Sequence, residues 1–145
     1  MDYRFTLSVL GRLTFGYGLC MLIPGLLSLY HGETAWKALF LSAFISLALG
    51  WGMTFLRRDS HHLGIREGFA IVGGGWLLAS FLGALPYTFA GVLPNYIDAL
   101  FETVSGLTTT GASVFSDIES LPMGILLWRS LTHWLGGMGI IVLFI

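Results

Sequence analysis

The stretch GLTTTGAS, Gly106–Ser113, joins two strongly apolar segments of a chain that is apolar almost throughout. It combines two glycines, three consecutive threonines and a serine, and it carries no charge. A surface loop normally carries charge, and a membrane helix is rarely so rich in β-branched threonine beside glycine. The question is what a run of small hydroxyl residues does at this point of the chain.

The composition places the whole chain in the membrane class. Its 145 residues are 55% hydrophobic and only 10% charged, and the mean hydropathy is +0.81. A soluble domain of this size could not bury that much apolar surface. The formal net charge of -1 gives no indication of a nucleic-acid partner.

Four apolar segments are each close to the roughly 20 residues that cross a membrane. They are Leu13–Tyr30, Ala35–Leu56, Gly68–Ala90 and Met123–Ile145. Basic residues precede the first segment and fill the connector 57–66, whereas His31–Glu33 contains no Lys or Arg. Since basic residues favour the cytoplasmic side, the sequence predicts a cytoplasmic N-terminus and places Gly32 outside.

The residues between the third and fourth segments form neither a soluble loop nor a complete span. Pro94 suits the first turn of a helix, and the helix predicted over Asn95–Leu107 is roughly 20 Å long, too short to cross. The chain must therefore return through 108–117, before Pro122 opens the last span. Apolar residues recur along the helix at helical spacing, at Ile97, Phe101, Val104 and, through its methyl group, Thr108.

The return path has the chemistry of a potassium filter. Non-helical backbone at membrane depth must be buried in protein or line a polar cavity, and a potassium filter is a row of backbone carbonyls with a threonine hydroxyl. It needs small side chains, a permissive glycine and no charge. The residues that meet these needs are Thr108, Thr109, Thr110, Gly111, Ala112 and Ser113. The alternative is a packed turn that merely reverses the chain.

Two charged residues are predicted to lie at similar depth beside this loop. Glu102 is roughly 12 Å along its helix from Pro94, and Arg129 roughly 10 Å from Pro122. Because an unpaired charge at that depth is costly, we expect Glu102 and Arg129 to interact and support the filter. Direct ion binding by this pair is the alternative.

The sequences FETVSGLTTTGAS (101–113) and WRSLTHWLGGMGIIV (128–142) resemble the first pore unit of the Trk/Ktr/HKT family of potassium transporters. The two leading spans are similar to the N-terminal helix pair of its Trk branch. The resemblance implies Gly111 as the filter glycine, with K+ at Thr109, Thr110 and Gly111. It also implies four span–pore-helix–span units in one polypeptide, homodimers, and a cytoplasmic nucleotide-binding regulatory subunit.

The expected fold is therefore an all-α integral membrane protein of the bacterial cytoplasmic membrane. A helix pair in 1–57 precedes one pore unit in 66–145, which contains span 68–90, pore helix 95–107, filter loop 108–117 and span 123–145. The sequence ends at Ile145, within an apolar run and without the family's further pore units. We therefore expect a fragment that supplies about one quarter of a pore; assembly of four copies is the alternative.

The predicted function is potassium uptake without a cofactor. An accessory or structural membrane protein is the second interpretation. An enzyme using Asp98, Glu102, Ser105 or His133 is disfavoured because these residues form no nucleophile–base pair on one identifiable face. His133 is expected to be a satisfied packing residue.

Overall fold

The computed structural model describes residues 3–55 and 64–144, with side chains described as far as 139. These residues form five α-helices and no strand, so the predicted all-α fold is confirmed. The helices are α1 Tyr3–Tyr30, α2 Trp36–Thr54, α3 Ile65–Phe89, α4 Tyr96–Leu107 and α5 Met123–Phe144.

Within the described ranges, α1, α2 and α3 are long and apolar enough to cross a membrane. Helix α1 has 28 residues and begins well before Leu13, the predicted start of the first span, so that Arg4 and Arg12 are helical. The difference arises because hydropathy marks the part of a helix that suits hydrocarbon, whereas helical hydrogen bonding continues beyond it. The basic cluster Arg57, Arg58, His61 and His62 lies outside the described residues, and the orientation remains a prediction.

Helices α1 and α2 form an antiparallel hairpin with small residues at their contact. The buried face of α2 carries Ala38, Ser42, Ala43, Ser46 and Gly50. Small side chains allow two helix backbones to approach closely, which is the usual basis of helix association in membranes. The hairpin therefore forms a closely packed unit beside α3 and α5.

The core lies where this hairpin meets the other three helices. Trp128 of α5 is fully buried, and its indole N–H donates to the carbonyl oxygen of Gly83 in α3 at 3.0 Å. The ring of Tyr17 from α1 packs edge-on against Trp128, with 5.4 Å between the ring centroids. One buried aromatic residue thus connects the helix pair to both long helices of the hairpin that contains GLTTTGAS.

Candidate functional site

Helix α4 is a half-length helix with a defined start. Its 12 residues span about 18 Å, and the side-chain oxygen of Asn95 accepts from the backbone N–H of Ile97 at 3.1 Å. This N-cap satisfies one of the free N–H groups of the first turn. The observed helix begins one residue after the predicted start because Asn95 is the cap, and it ends at Leu107 as expected.

The faces of α4 are arranged opposite to those of a helix in a soluble protein. Glu102 and Ser105 point into the chain and are buried, whereas Ile97, Phe101 and Val104 are exposed. An unpaired charge or polar group within a membrane protein is costly, so these side chains lie where the rest of the chain supplies partners. The polar face of α4, with Glu102 and Ser105, is therefore the face that packs against the rest of the chain.

The chain leaves α4 through a closed C-terminal turn. The N–H of Thr109 donates to the carbonyl of Gly106, and the N–H of Thr110 donates to that of Ser105, both at 2.9 Å. This pair of bonds is a Schellman motif, whose left-handed position is usually glycine. Here it is Thr109, with φ of 56°. A β-branched residue seldom adopts this conformation, so the turn stores local strain of the kind found at functional sites.

From the C-cap Thr108 onward, successive backbone carbonyls are free. Thr108, Thr109, Thr110 and Gly111 are exposed, and their carbonyl oxygens accept no hydrogen bond from any described residue. Gly111 has φ of +79°, a conformation that favours glycine. Consecutive backbone carbonyls of this kind can replace the water molecules around a dehydrated cation.

The last two residues of the predicted filter have other contacts. The carbonyl of Ala112 accepts from the hydroxyl of Ser105 at 2.6 Å. The hydroxyl of Ser113 lies 3.1 Å and 2.9 Å from the two carboxylate oxygens of Glu102. Among the described residues, the carbonyl of Ala112 thus accepts a hydrogen bond and the other five predicted filter carbonyls do not, while the Ser105 and Glu102 contacts attach Ala112 and Ser113 to α4.

Glu102 is the centre of the contacts that hold the loop. Its side chain is fully buried, and Arg129 Nε of α5 donates to its Oε1 at 2.6 Å. The backbone N–H of Val114 donates to Oε2 at 3.1 Å. We call Glu102, Arg129, Ser113 and Val114 the brace, because one carboxylate joins α4, α5 and the loop. The structure thus brings Glu102 and Arg129 into the contact that their depth predicts.

Helix α5 lies directly against the end of α4. A Cβ atom on Gly136 would overlap the backbone carbonyl of Leu107, so only glycine fits at this crossing. His133 Nδ1 lies 2.9 Å from the carbonyl oxygen of Arg129, one turn earlier, consistent with a packing role. No group of His, Cys, Asp and Glu within the described ranges could hold a metal ion.

Sequence reasoning missed the strained residue, Thr109. The sequence predicts a permissive backbone at Gly111 alone, whereas two residues of the loop, Thr109 and Gly111, have positive φ. A signal was present, since a helix predicted to end at Leu107 needs a left-handed residue two positions later to close a Schellman turn. Because threonine is uncommon at that position, the residue type itself did not indicate the left-handed turn.

A half-length helix, a return loop with free carbonyls and two flanking apolar helices define an integral membrane protein with a re-entrant pore loop. Residues 35–145 match the family model TrkH, described as cation transport protein. The chain is 40% identical over 148 residues to the Trk system potassium uptake proteins TrkH of Salmonella typhimurium and of Escherichia coli. These alignments cover 99% of this chain and 30% of each relative.

A solved structure gives the same result at the level of the fold. The potassium transporter TrkH from Vibrio parahaemolyticus superposes with a TM-score of 0.91 at 38% identity. The match covers 99% of this chain and 31% of that one. The chain belongs to the TrkH family of cation transport proteins, and it spans about 30% of the length of the relatives it matches.

Proposed function

We propose that this chain forms part of a potassium uptake transporter and that its return loop lines the ion path. The observation that carries the proposal is the row of exposed, unpartnered carbonyls from Thr108 to Gly111. Such a row replaces the water of a dehydrated K+ ion without binding it too tightly to release it. The relatives named potassium uptake proteins support the choice of ion.

In this proposal the ion contacts the carbonyls of Thr109, Thr110 and Gly111. The hydroxyls of Thr108 and Thr110 lie 2.8 Å apart and fix one edge of the loop. The brace holds the other edge, and Glu102 acts through the loop rather than on the ion, because its carboxylate is already occupied by three partner residues. The pair Glu102–Arg129 is therefore a support for the filter.

One loop supplies about one quarter of a filter. We propose that the ion path is completed by the remaining pore units of a full-length subunit. That subunit would form a homodimer in the bacterial cytoplasmic membrane, with its N-terminus in the cytoplasm. A cytoplasmic nucleotide-binding subunit would regulate it. The resemblance to the Trk branch supports this assembly.

The test is rescue of growth at low K+ in a bacterium without potassium uptake. Two forms are compared: this chain alone, and this chain fused to the remaining residues of the Escherichia coli relative. We expect rescue by the fusion only, and loss of rescue on Gly111→Ser, because a side chain is strained at φ of +79°.

The matched control is Gly91→Ser. Gly91 has φ of +72° and, like Gly111, has no atom near the position of an added Cβ, but it lies outside the loop. If Gly91→Ser still rescues growth, the loss of rescue in Gly111→Ser is due to the filter position and not to backbone strain in general. If Gly111→Ser supports growth as well as the unchanged fusion, the loop is not the filter. If neither form rescues while both accumulate in the membrane, the structural interpretation replaces this one.

A further inference from the structure

The connector between α1 and α2 contains a carboxylate that contacts the start of α5. Glu33 accepts from the backbone N–H of Met123 at 2.6 Å and from that of Gly124 at 3.2 Å. The first N–H groups of a helix have no partner within the helix, and the helix dipole favours an anion beside them. Glu33 thus caps α5 from 90 residues earlier in the chain.

The cap is held in place on both sides. The backbone N–H of Glu33 donates to the carbonyl of Ser28 at 3.1 Å, and Gly124 lies against Pro24 and Ser28 of α1 and Leu39 of α2. Burial raises the pKa of Glu33, but the hydrogen bonds from the N–H groups of Met123 and Gly124 and the nearby His31 outweigh it, so the pKa lies below that of an ordinary glutamate. Glu33 is therefore an anion at neutral pH.

The capped end of α5 lies close to the brace. Arg129 follows Met123 by less than two turns, about 9 Å along the helix axis. Arg129 binds Glu102, and Glu102 binds Ser113 and the N–H of Val114. Since a helix is rigid over this length, the position of its first turn determines where the Arg129 guanidinium meets Glu102.

We propose that Glu33 is a positioning residue for the ion path: by fixing the outer end of α5 to the α1–α2 hairpin, it holds the brace and hence the return loop in register. The helix pair then has a function besides anchoring, because it sets the geometry of the loop through one carboxylate. The inference that this affects ions rests on the proposed function; the inference about the loop itself does not.

The test is hydrogen–deuterium exchange on the 145-residue chain in lipid nanodiscs, comparing Glu33→Ala with the unchanged protein. We expect exchange to rise at least about fivefold in the first turn of α5 and also at Val114 and Phe115, with no change along 38–46 of α2. Glu33→Gln should be intermediate, because its amide oxygen can still accept one of the two N–H groups.

Glu119→Ala is the matched control. Glu119 is an exposed carboxylate in the loop before α5, and its side chain accepts no hydrogen bond from a described residue. Its removal should leave exchange unchanged everywhere. If Glu33→Ala accelerates exchange only at 123–126, the cap is local and the positioning role is wrong. A uniform rise along every helix would equally contradict it, because that is the signature of general destabilisation.

A second measurement separates this inference from the proposed function. In whichever form supports uptake, Glu33→Ala should raise the KM for K+ about two- to tenfold at unchanged maximal rate per molecule. A residue needed only for stability would lower the amount of transporter and leave KM as it is. If no form of the unchanged chain supports uptake, the proposed function fails, and the exchange pattern alone still decides the role of Glu33.

Discussion

At the scale of residues, the loop depends on one buried carboxylate. Glu102 is 1% exposed, and it accepts from Arg129, from Ser113 and from the backbone of Val114. Removing one member of a buried ion pair leaves the other charge unpaired, which costs more than the pair contributes. The free energy of unfolding should therefore fall strongly when one partner of the Glu102–Arg129 pair is replaced, and only weakly when both are replaced.

We predict that Arg129→Gln destabilises the chain by about 3 kcal/mol, and that the double variant Glu102→Gln with Arg129→Gln recovers much of the loss. Thermal unfolding in detergent measures both. Arg66→Gln, at an exposed arginine in the first turn of α3, should stay within about 0.5 kcal/mol. Unchanged stability and unchanged uptake in the Arg129 variant would show that the pair does not support the loop.

The residues of the site were predictable to different degrees. Counting residues from Pro94 and Pro122 was enough to place Glu102 beside Arg129, because both helices start from the same side of the molecule. Glu33 could not be found in this way. A glutamate in a short polar connector is typical of a solvated residue, and its contact with Met123 is set by the packing of three helices rather than by any local pattern.

At the scale of elements, the crossing of α4 and α5 fixes the C-terminal end of the half-helix. Gly136 touches the backbone of Leu107, the residue immediately before the loop. Backbone atoms cannot move aside as a flexible side chain can, so the two helices must separate if this position gains a Cβ. Close packing explains this glycine, and no local sequence pattern identifies the neighbour that it contacts.

We predict that Gly136→Ala lowers stability by about 1–3 kcal/mol, the usual cost of overpacking, and shifts the end of α4. Gly137→Ala is the matched control, because the nearest atom to its added Cβ is the Thr109 methyl carbon at 3.7 Å, an ordinary contact. That variant should be neutral or gain up to about 1 kcal/mol from helix propensity. Equal melting temperatures for the two variants would contradict the close crossing.

The boundaries of α4 were largely predictable, but the direction of its faces was not. Pro94 marked the start of the helix, although it lies before the cap Asn95 and not in the first turn as predicted. The predicted end at Leu107 agrees with the structure. The apolar stripe gave the helical period, yet period alone does not say whether a stripe faces the chain or its surroundings. In a membrane protein the charged residue Glu102 indicates the buried face, because an unpaired charge within the membrane is more costly than any exposed apolar side chain.

At the scale of the whole molecule, the α1–α2 hairpin packs against the unit formed by α3, α4, the return loop and α5. The ring contact of Trp128 with Tyr17 and the hydrogen bonds of Glu33 to the start of α5 are two of the contacts that join them. The exposed apolar face of α4 includes Ile97, which is 72% exposed. In the full-length subunit proposed above, the remaining pore units would cover this face. Composition was enough to predict the membrane class. The contacts between the two parts could not be predicted, because they join residues far apart in the sequence.

The position of a bound ion tests the proposed ion path most directly. Rb+ can replace K+ and is located by its anomalous scattering in crystals of the fusion that supports uptake. We expect an Rb+ peak beside the carbonyl oxygens of Thr109, Thr110 and Gly111, and its loss in the Gly111→Ser variant. If a transport-competent protein shows Rb+ peaks only away from these carbonyls, the return loop does not line the ion path.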